Sequence, residues 1–341
     1  MRGFAWRNGT TLISVEKPGI QAETDVIVKM HYASICGSDL HIIKGKVPRA
    51  KEGVILGHEG VGEIVAVGGA VKRFTVGDLV SINCITHCGQ CWYCTHGYIN
   101  NCENGGWELG CRQNGTFGEY VRVMHGDHSL NKVQKGFELD CLFVGDILSS
   151  GFFGCELGEV KKNDFVAVIG CGPVGMCSML MAKMLGAKVV GIDIKDENLA
   201  FAKREDFADF TFNPRQCNVE EEIKKLNFGR GVDCVIENAG SDDSFEMAWK
   251  IARPNGVVSL VAMYESDQKF QLPLMYGKNL IFKTGGVDAT HCDDLIKMIE
   301  ERRVSTMKLI THRFKFDDFD AAMKLFMDKP EFCIKVCIDF Q

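Results

Sequence analysis

The sequence lacks the marks of several large classes of protein. No stretch of it approaches the roughly 20 uncharged apolar residues that a membrane-spanning helix requires, and its N-terminal residues lack the apolar core of a secretory signal. Positive charge is not in excess, since 39 lysines and arginines face 45 aspartates and glutamates and the net charge is −6. Basic blocks that would neutralise nucleic-acid phosphates, internal repeats and low-complexity segments are missing as well. We therefore expect no membrane partner, no nucleic-acid partner and a cytoplasmic location.

Cysteine, by contrast, is abundant, with 16 in 341 residues. In a short secreted chain this number would indicate a disulfide framework, but here several cysteines stand singly within apolar runs. Free thiols in a reducing cytosol are therefore expected. The length, with 46% apolar and 25% charged residues, is typical of a globular protein of about two domains at roughly 100 to 200 residues each.

Two patterns of predicted secondary structure follow one another along the chain. Short predicted strands with glycines between them, from Val26 to Tyr120, are typical of a small antiparallel β-barrel. From Phe165 strands and helices alternate, beginning with a strand over Phe165–Ile169, a helix over Val174–Leu185 and a strand over Lys188–Ile192. This alternation predicts a parallel sheet.

A glycine-rich turn directly follows the first strand of the alternating part and opens its helix. It reads Gly170-Cys171-Gly172-Pro173-Val174-Gly175. In this setting the glycines let the backbone approach a pyrophosphate, whose charge is then held at the helix N-terminus. A glycine turn in another α/β fold is the alternative.

An acidic residue, Asp193, ends the next strand. A carboxylate at this position can accept both ribose hydroxyls of NAD and repel the 2′-phosphate of NADP, so NAD is favoured. Asp193 could instead be a solvated turn residue, and the nearby Lys195 could weaken the discrimination against NADP.

Four cysteines form a loop cluster with the spacing C-x2-C-x2-C-x7-C, namely Cys88, Cys91, Cys94 and Cys102. Four thiolates satisfy tetrahedral zinc and leave no open position, so the cluster indicates a structural zinc site. The alternatives are a chance group of buried thiols and a nucleic-acid zinc ribbon, which the acidic net charge disfavours. Cys84 and His87 lie beside the cluster in the sequence and are interpreted as bystanders.

A second group of candidate metal ligands is dispersed along the chain and consists of Cys36, His58 and Asp146. One thiolate, one imidazole and one carboxylate give three ligands and leave a fourth position for water or a substrate oxygen, which is the pattern of a catalytic zinc. Taken singly, Cys36 could be a small buried hydrophobe, His58 a hydrogen-bonded core histidine and Asp146 a turn cap.

In combination these motifs resemble those of the zinc-dependent medium-chain alcohol dehydrogenases, in the medium-chain dehydrogenase/reductase superfamily. The resemblance runs over nearly the whole chain, and the motifs that carry it are Cys36-Gly-Ser-Asp-Leu-His41, Gly57-His58-Glu59, the loop Cys88–Cys102 and the turn Gly170–Gly175.

The fold that this resemblance implies is α/β with two domains. A GroES-like β-barrel catalytic domain would comprise residues 1–148 and be completed by 287–341, and a doubly wound parallel-sheet Rossmann domain for NAD would comprise 149–286. Two zinc ions per chain and a homodimer or homotetramer are also implied. We expect subunits to meet through edge strands of the nucleotide-binding sheet around Val257–Tyr264 and Leu280–Phe282, which would otherwise leave backbone groups unpaired.

The resemblance also implies a role for the polar residues near the catalytic zinc. Cys36, His58 and Asp146 would hold the metal, and Glu59 would sit behind it as an exchangeable ligand. Asp39 would orient His58 through the other ring nitrogen, as carboxylates next to metal-bound histidines commonly do.

Further residues match the family's proton relay and cofactor site. Ser38 and His41 would carry the alcohol proton to solvent, and Ser150 would orient the nicotinamide ring. Ser38 could otherwise be a helix N-cap, His41 a surface histidine and Ser150 a helix-cap serine. The residues implied to bind the dinucleotide are Gly170, Gly172, Pro173, Val174, Gly175 and Asp193.

The run Asp146-Ile-Leu-Ser-Ser-Gly151 resembles the third-ligand segment of secondary-alcohol and formaldehyde dehydrogenases. We therefore expect hydride transfer between an alcohol, secondary in the leading interpretation, and NAD, giving a ketone or aldehyde. A polyol or sugar-alcohol dehydrogenase on the same scaffold is the alternative. A non-catalytic nucleotide-binding member of the fold would not need the ligand set, and a zinc-free quinone or enoyl reductase would lack both metal sites.

Overall fold

The computed structural model describes residues 1–7, 10–329 and 332–341. These residues divide into two compact units: unit 1 comprises Met1–Ser149 with Asp288–Gln341, and unit 2 comprises Ser150–Val287. Unit 1 is thus assembled from two separate segments, whereas unit 2 is continuous. Among the described residues, no helix is long and apolar enough to cross a membrane.

The N-terminal segment of unit 1 consists mainly of strands. In chain order these are β1 (Arg2–Trp6), β2 (Thr10–Ser14), β3 (Val26–Ile35), β4 (Glu59–Val67), β5 (Leu79–Ile82), β6 (Tyr120–Val123) and β7 (Leu130–Lys132). The short helices between them are α1 (Gly37–Ile43), α2 (Trp92–Thr95) and α3 (Gly126–Ser129). β3 is the longest of these strands, and the side chains of Ala33, Ser34 and Ile35 at its end are buried.

Unit 2 alternates strands and helices. In chain order its elements are α4 (Ser149–Leu157), β8 (Phe165–Ile169), α5 (Pro173–Met184), β9 (Lys188–Ile192), α6 (Asp196–Arg204), β10 (Phe210–Phe212), α7 (Val219–Leu226), β11 (Val232–Glu237), α8 (Asp242–Ile251), β12 (Ala252–Leu260), α9 (Leu272–Met275) and β13 (Ile281–Thr284). The strands form a parallel sheet in the order β10-β9-β8-β11-β12-β13. This sheet confirms the predicted doubly wound fold.

The strand order reverses direction between β8 and β11, and the carboxyl ends of strands at such a switch point are where open α/β sheets bind ligands. β8 is buried along its whole length, as its unbroken apolar sequence requires of a strand covered on both faces. Its side chains Phe165, Ala167 and Ile169 pack in one core with residues of β9, β11 and β12.

One edge of this sheet differs from the prediction. β12 (Ala252–Leu260) lies between β11 and β13 and pairs with both, so the expectation of an edge strand around Val257–Tyr264 is wrong. β13 ends the sheet instead, and the side chain of Ile281 in it is 47% exposed. β13 therefore has backbone groups available for pairing with another chain.

The C-terminal segment completes the sheet of unit 1. It contains α10 (Cys292–Glu300), β14 (Ile310–Lys315), α11 (Phe319–Asp328) and β15 (Lys335–Asp339). β15 pairs antiparallel with β3, which places Ile338 opposite Ala33, and parallel with β14. The resulting order is β14-β15-β3-β4-β5-β7, with β6 also paired to β3.

Candidate active site and metal centres

Three side chains from distant parts of unit 1 converge at one point. Cys36 is the N-cap of α1, His58 directly precedes β4, and Asp146 lies in a π-helical turn over Val144–Leu148. One ligand atom from each of the three lies within 4.8 Å of the other two. The Oδ2 atom of Asp146 is 3.5 Å from Cys36 Sγ and 3.4 Å from His58 Nε2. A sulfur, a nitrogen and an oxygen at this spacing fit a zinc ion that keeps one position open.

Asp39 holds two of these ligands in place. Its carboxylate accepts a 2.9 Å hydrogen bond from the backbone N–H of Cys36 and a 3.3 Å bond from that of Gly57. Its Oδ1 atom also lies 3.4 Å from His58 Nδ1, a charge contact that leaves the opposite ring nitrogen facing Asp146. Asp39 is fully buried, so these interactions are shielded from water. It therefore ties α1 to the loop before β4.

The charged groups of the ligand cluster shift one another's pKa values toward the charged forms. Burial disfavours the charge of Asp146, but the imidazole of His58 outweighs it and lowers the pKa of the carboxyl to about 2. Burial likewise acts to lower the pKa of His58, but Asp39 and Asp146 together raise it well above its usual range. Because a histidine must be neutral to bind a metal, metal binding here would displace a proton.

Ser38 and His41 both lie on α1, the helix that Cys36 caps. Ser38 Oγ is 3.6 Å from Cys36 Sγ. Since α1 begins at Gly37 with Cys36 as its N-cap, the alternative that Ser38 caps the helix is wrong. His41 follows three residues later, and residues at this spacing are neighbours on a helix surface. Helix geometry thus places the hydroxyl and the imidazole on the same face of α1.

Behind His58, Glu59 forms a buried ion pair with Lys335, the first residue of β15. The Nζ atom of Lys335 also donates to the backbone carbonyl of Ile35 at 3.0 Å. Burial raises the pKa of Glu59, and the attraction of Lys335 opposes this by favouring the charged carboxylate. Glu59 Oε1 has no hydrogen-bond partner among the described residues and is free to act as an acceptor. Lys335 was missed by the sequence analysis, because it lies 276 residues from Glu59 and no motif marks it.

Cys84 is outside the four-cysteine cluster, as interpreted, but it makes a contact that the sequence analysis missed. The structure places its thiol 3.4 Å from Oδ1 of Asp146, whereas Cys36 contacts the other carboxylate oxygen, Oδ2. Cys84 is therefore a neighbour of the candidate catalytic site. His87 precedes the first cysteine of that cluster, and the centroid of its half-buried ring lies 5.4 Å from that of His128.

The four-cysteine cluster forms in a loop with little regular structure. Its sulfur atoms lie within 4.8 Å of one another and belong to Cys88, Cys91, Cys94 and Cys102. The Cys102 sulfur accepts N–H groups from Cys88 at 3.3 Å and Asn104 at 3.4 Å. Burial acts to raise the pKa of the Cys88 thiol, but the backbone N–H groups of Gln90 and Cys91 outweigh it and lower the pKa to about 6. Four sulfurs this close, with donors that favour thiolates, fit tetrahedral zinc without an open position.

The glycine-rich turn of unit 2 has the shape that a pyrophosphate needs. Gly170 adopts a φ of 90°, which other residues rarely reach. A Cβ atom at Gly175 would collide with the carbonyl of Gly170, so this glycine is required for the turn to close. At Gly172, the N-cap of α5, a Cβ would meet nothing within 4 Å among the described residues. Pro173 and Val174 then open the helix, leaving space in front of its N-terminus.

Asp193 is bonded to this turn. Its carboxylate accepts the backbone N–H of Cys171 at 2.8 Å, the N–H of Lys195 at 2.9 Å and the Asn198 side chain at 3.1 Å. Asp193 is half-buried, so its carboxylate both holds this turn and remains partly exposed to solvent. Two carboxylate oxygens offer about four acceptor positions, so capacity remains for a ribose hydroxyl.

Ser150 is the second residue of α4 and is 6% exposed. The helix continues directly from the π-helical turn that carries Asp146, so Ser150 is not a helix cap. The next residue is Gly151, where a Cβ would collide with the backbone of α5 at Cys177 and Ser178. The start of α4 is thus packed tightly against α5.

Comparisons with known proteins cover both units. Residues 22–134 match the alcohol dehydrogenase GroES-like domain, and residues 173–300 match the zinc-binding dehydrogenase domain. An alcohol dehydrogenase of Cupriavidus necator is 33% identical, over 92% of this chain and 91% of the relative. The NADP-dependent isopropanol dehydrogenase of Clostridium beijerinckii is 31% identical over 99% of both chains. The solved structure of an alcohol dehydrogenase from Thermus sp. ATN1 has a TM-score of 0.93 at 30% identity and covers 99% of each chain.

Proposed function

The chain belongs to the zinc-dependent medium-chain alcohol dehydrogenases, and we propose that within this family it oxidises a secondary alcohol to a ketone with NAD as the hydride acceptor. Membership of the family makes it an oxidoreductase that acts on alcohols. The observation that carries the finer proposal is the convergence of Cys36, His58 and Asp146 within 4.8 Å. A protein without catalytic activity would have no use for a thiol, an imidazole and a carboxylate arranged around one point.

In this proposal Cys36, His58 and Asp146 hold a zinc ion, which when bound supplies the Lewis acidity that lowers the pKa of an alcohol. The chain's own residues manage the proton. Ser38 Oγ, next to Cys36, takes the alcohol proton and passes it to the imidazole of His41, which serves as the general base. Glu59 stays behind His58 with one free oxygen.

The proposed cofactor site lies in unit 2 and uses the glycine-rich turn with Asp193. The space in front of Gly172 and the unpaired N–H groups at the start of α5 suit a pyrophosphate. Ser150 is assigned to orienting the nicotinamide ring, which accepts the hydride. We favour NAD over NADP because the Asp193 carboxylate, fixed by three hydrogen bonds, would repel a 2′-phosphate. The NADP dependence named for the Clostridium beijerinckii relative belongs to that protein.

Initial rates of NAD and NADP reduction test this proposal. The substrates are secondary alcohols, primary alcohols and polyols, and the proteins are the wild type, Cys36→Ser and the control Cys217→Ser. Cys217 is a half-buried thiol like Cys36, but lies in unit 2 outside both candidate metal clusters. We expect NAD reduction with secondary alcohols that is lost in Cys36→Ser and kept in Cys217→Ser.

Metal analysis accompanies the rates. Two zinc ions per chain are expected in the wild type and one in Cys36→Ser, because the four-cysteine site is left intact. A preference for polyols would replace secondary alcohols as the substrate class. Full activity of Cys36→Ser would contradict the assignment of the catalytic metal.

A homodimer or homotetramer formed through β13 is also proposed. This strand ends the sheet of unit 2, and exposed apolar side chains lie on it and before it, namely Leu272, Leu274, Tyr276 and Ile281. Pairing β13 with the same strand of a second copy would satisfy its backbone groups and cover this surface. A reducing, cytoplasmic setting is proposed as well, because the cysteines that the structure describes are all free thiols.

A further inference from the structure

Cys84 lies immediately behind the candidate catalytic carboxylate. It follows β5 by two residues, its side chain is 3% exposed, and its sulfur is 3.4 Å from Asp146 Oδ1. The other carboxylate oxygen, Oδ2, faces Cys36 and His58. We propose, on the basis of the function assigned above, that Cys84 is a positioning residue whose S–H group occupies Oδ1 so that Asp146 presents Oδ2 alone to the metal.

Backbone contacts hold Cys84 and Asp146 in this relation. The N–H of Cys84 donates to the carbonyl of Gly145 at 3.0 Å, one residue before the ligand. A Cβ atom at Gly145 would collide with the carbonyl of Ile82 at the end of β5. The π-helical turn and the end of β5 therefore touch backbone to backbone, and the sulfur and Oδ1 have little freedom to separate.

The chemistry of the two groups decides which carries the proton. An ordinary thiol has a pKa about four units above that of an aspartic acid, so the proton stays on sulfur and the thiol donates to the carboxylate. A free carboxylate can bind a metal through one oxygen or through both. With Oδ1 already occupied, binding through one oxygen is favoured, and a coordination position stays open for substrate.

The position of Cys84 argues against a role as a ligand. The group whose ligand atoms converge contains Cys36, His58 and Asp146, and Cys84 is not a member of it. Its contact is with the oxygen on the side of the carboxylate away from Cys36. Residues that bond to metal ligands from behind commonly affect metal affinity by about 10- to 100-fold, which sets the size of the expected effect.

The test compares Cys84→Ala, Cys84→Ser and the control Cys141→Ala in the full-length protein. Cys141 is another fully buried thiol of unit 1, so its replacement removes the same atom from the core, and the charged groups that act on this thiol are Asp140, Glu300 and Glu138 rather than Asp146. Zinc release to a competing chelator is followed for each protein, and Cys36→Ser identifies which phase of release belongs to the catalytic site. Cobalt-substituted proteins report the ligand geometry through their visible absorption spectra.

In Cys84→Ala we expect the catalytic zinc to bind about 10- to 100-fold more weakly and the cobalt bands to shift. Cys84→Ser, which keeps a donor, should recover at least half of the lost affinity on a logarithmic scale, and Cys141→Ala should match the wild type. If Cys84→Ala does not fold, the comparison of Cys84→Ser with the wild type decides, because loss of the catalytic zinc from a folded Cys84→Ser protein overturns the proposal.

Two further outcomes also overturn it. In the first, Cys84→Ala releases zinc at the same rate as the wild type and has the same cobalt spectrum. In the second, Cys84→Ala loses thiolate-to-cobalt absorption, which would make Cys84 a ligand itself. Failure of the proposed function looks different, because then Cys36→Ser would leave both phases of zinc release unchanged.

Discussion

At the scale of single residues, the Glu59–Lys335 pair shows how much one buried charge depends on its partner. Both side chains are at most 1% exposed. Removing one member of such a pair leaves an uncompensated charge in a medium of low polarity, at a cost of about 3–5 kcal/mol. Removing one member of an exposed pair costs about 1 kcal/mol or less, because water replaces the lost partner.

We therefore expect Lys335→Met to lower the free energy of unfolding by about 3–5 kcal/mol in urea titrations. The control is Lys183→Met, whose partner Asp206 is 82% exposed, and there the loss should stay near or below about 1 kcal/mol. The double variant Glu59→Gln with Lys335→Met should recover much of the loss, because no charge remains buried. Equal stability of Lys335→Met and Lys183→Met would contradict this explanation.

A second prediction at this scale concerns Asp193. Asp193→Asn keeps an acceptor for the Cys171 N–H but removes the charge. Hydrogen bonds to charged groups contribute about 1.5–3 kcal/mol, so kcat/KM with NAD should fall roughly 10- to 100-fold, while kcat/KM with NADP should rise. Asp196→Asn, a neighbouring carboxylate bonded to Asn213 and Gln216, should leave the ratio unchanged. An unchanged NAD-to-NADP ratio in Asp193→Asn would refute the assigned role.

The sequence reveals residues of this kind only where a local pattern marks them. The glycine-rich turn and the four-cysteine cluster are contiguous, so their spacing alone predicts what they surround. Cys36, His58 and Asp146 are separated by up to 110 residues, so no spacing marks them, and they are grouped by the ligand types of a catalytic zinc, which the family resemblance supports. Lys335 and Cys84 carry no such mark, since any buried lysine or cysteine has the same local sequence signal. Their contacts arise from the packing of β15 on β3 and of the π-helical turn on β5.

At the scale of elements, two glycines at the start of α5 have different expected roles. Gly175 lets the turn close, and Gly172 leaves room for a ligand. We expect Gly172→Ala to leave the melting temperature within a few degrees of the wild type, because its Cβ meets no described atom within 4 Å. The methyl group would occupy the region in front of the helix, and the Kd for NADH should rise at least tenfold in fluorescence titrations. Gly175→Ala is the matched comparison, and it should lose stability as well as binding because its Cβ collides with Gly170. Unchanged NADH binding in Gly172→Ala would rule out a pyrophosphate at this turn.

Prediction of elements succeeded where hydrophobic periodicity is strong. The strands Phe165–Ile169 and Lys188–Ile192 have the predicted bounds, because unbroken apolar runs are what buried parallel strands require. β14 was not predicted, since its sequence Ile-Thr-His-Arg-Phe-Lys is mostly polar and it forms the end of its sheet. The π-helical turn over Val144–Leu148 was likewise missed, because its apolar run resembles any buried segment.

At the scale of the whole molecule, the proposed assembly depends on β13. Lysine on an edge strand opposes pairing with another strand, so Ile281→Lys should shift the protein from dimer or tetramer to monomer in light-scattering measurements. Ile281 is 47% exposed, so the substitution should have little effect on the melting temperature of the isolated chain. The control is Phe228→Lys, which replaces a 90% exposed apolar side chain elsewhere in unit 2 and should leave the assembly intact. An unchanged mass for Ile281→Lys would locate the interface elsewhere.

The split construction of unit 1 has a consequence for biosynthesis. A ribosome makes Glu59 long before Lys335, which lies 276 residues later in the chain. Strand β3 is likewise made long before its neighbour β15. Unit 2 is continuous and lies between these strands in the chain, so all of its residues are available to fold before β15 is made. Until β15 has been made, the nascent chain therefore holds an unpaired acidic group next to the candidate metal ligands, and this candidate site is completed only when β15 has left the exit tunnel.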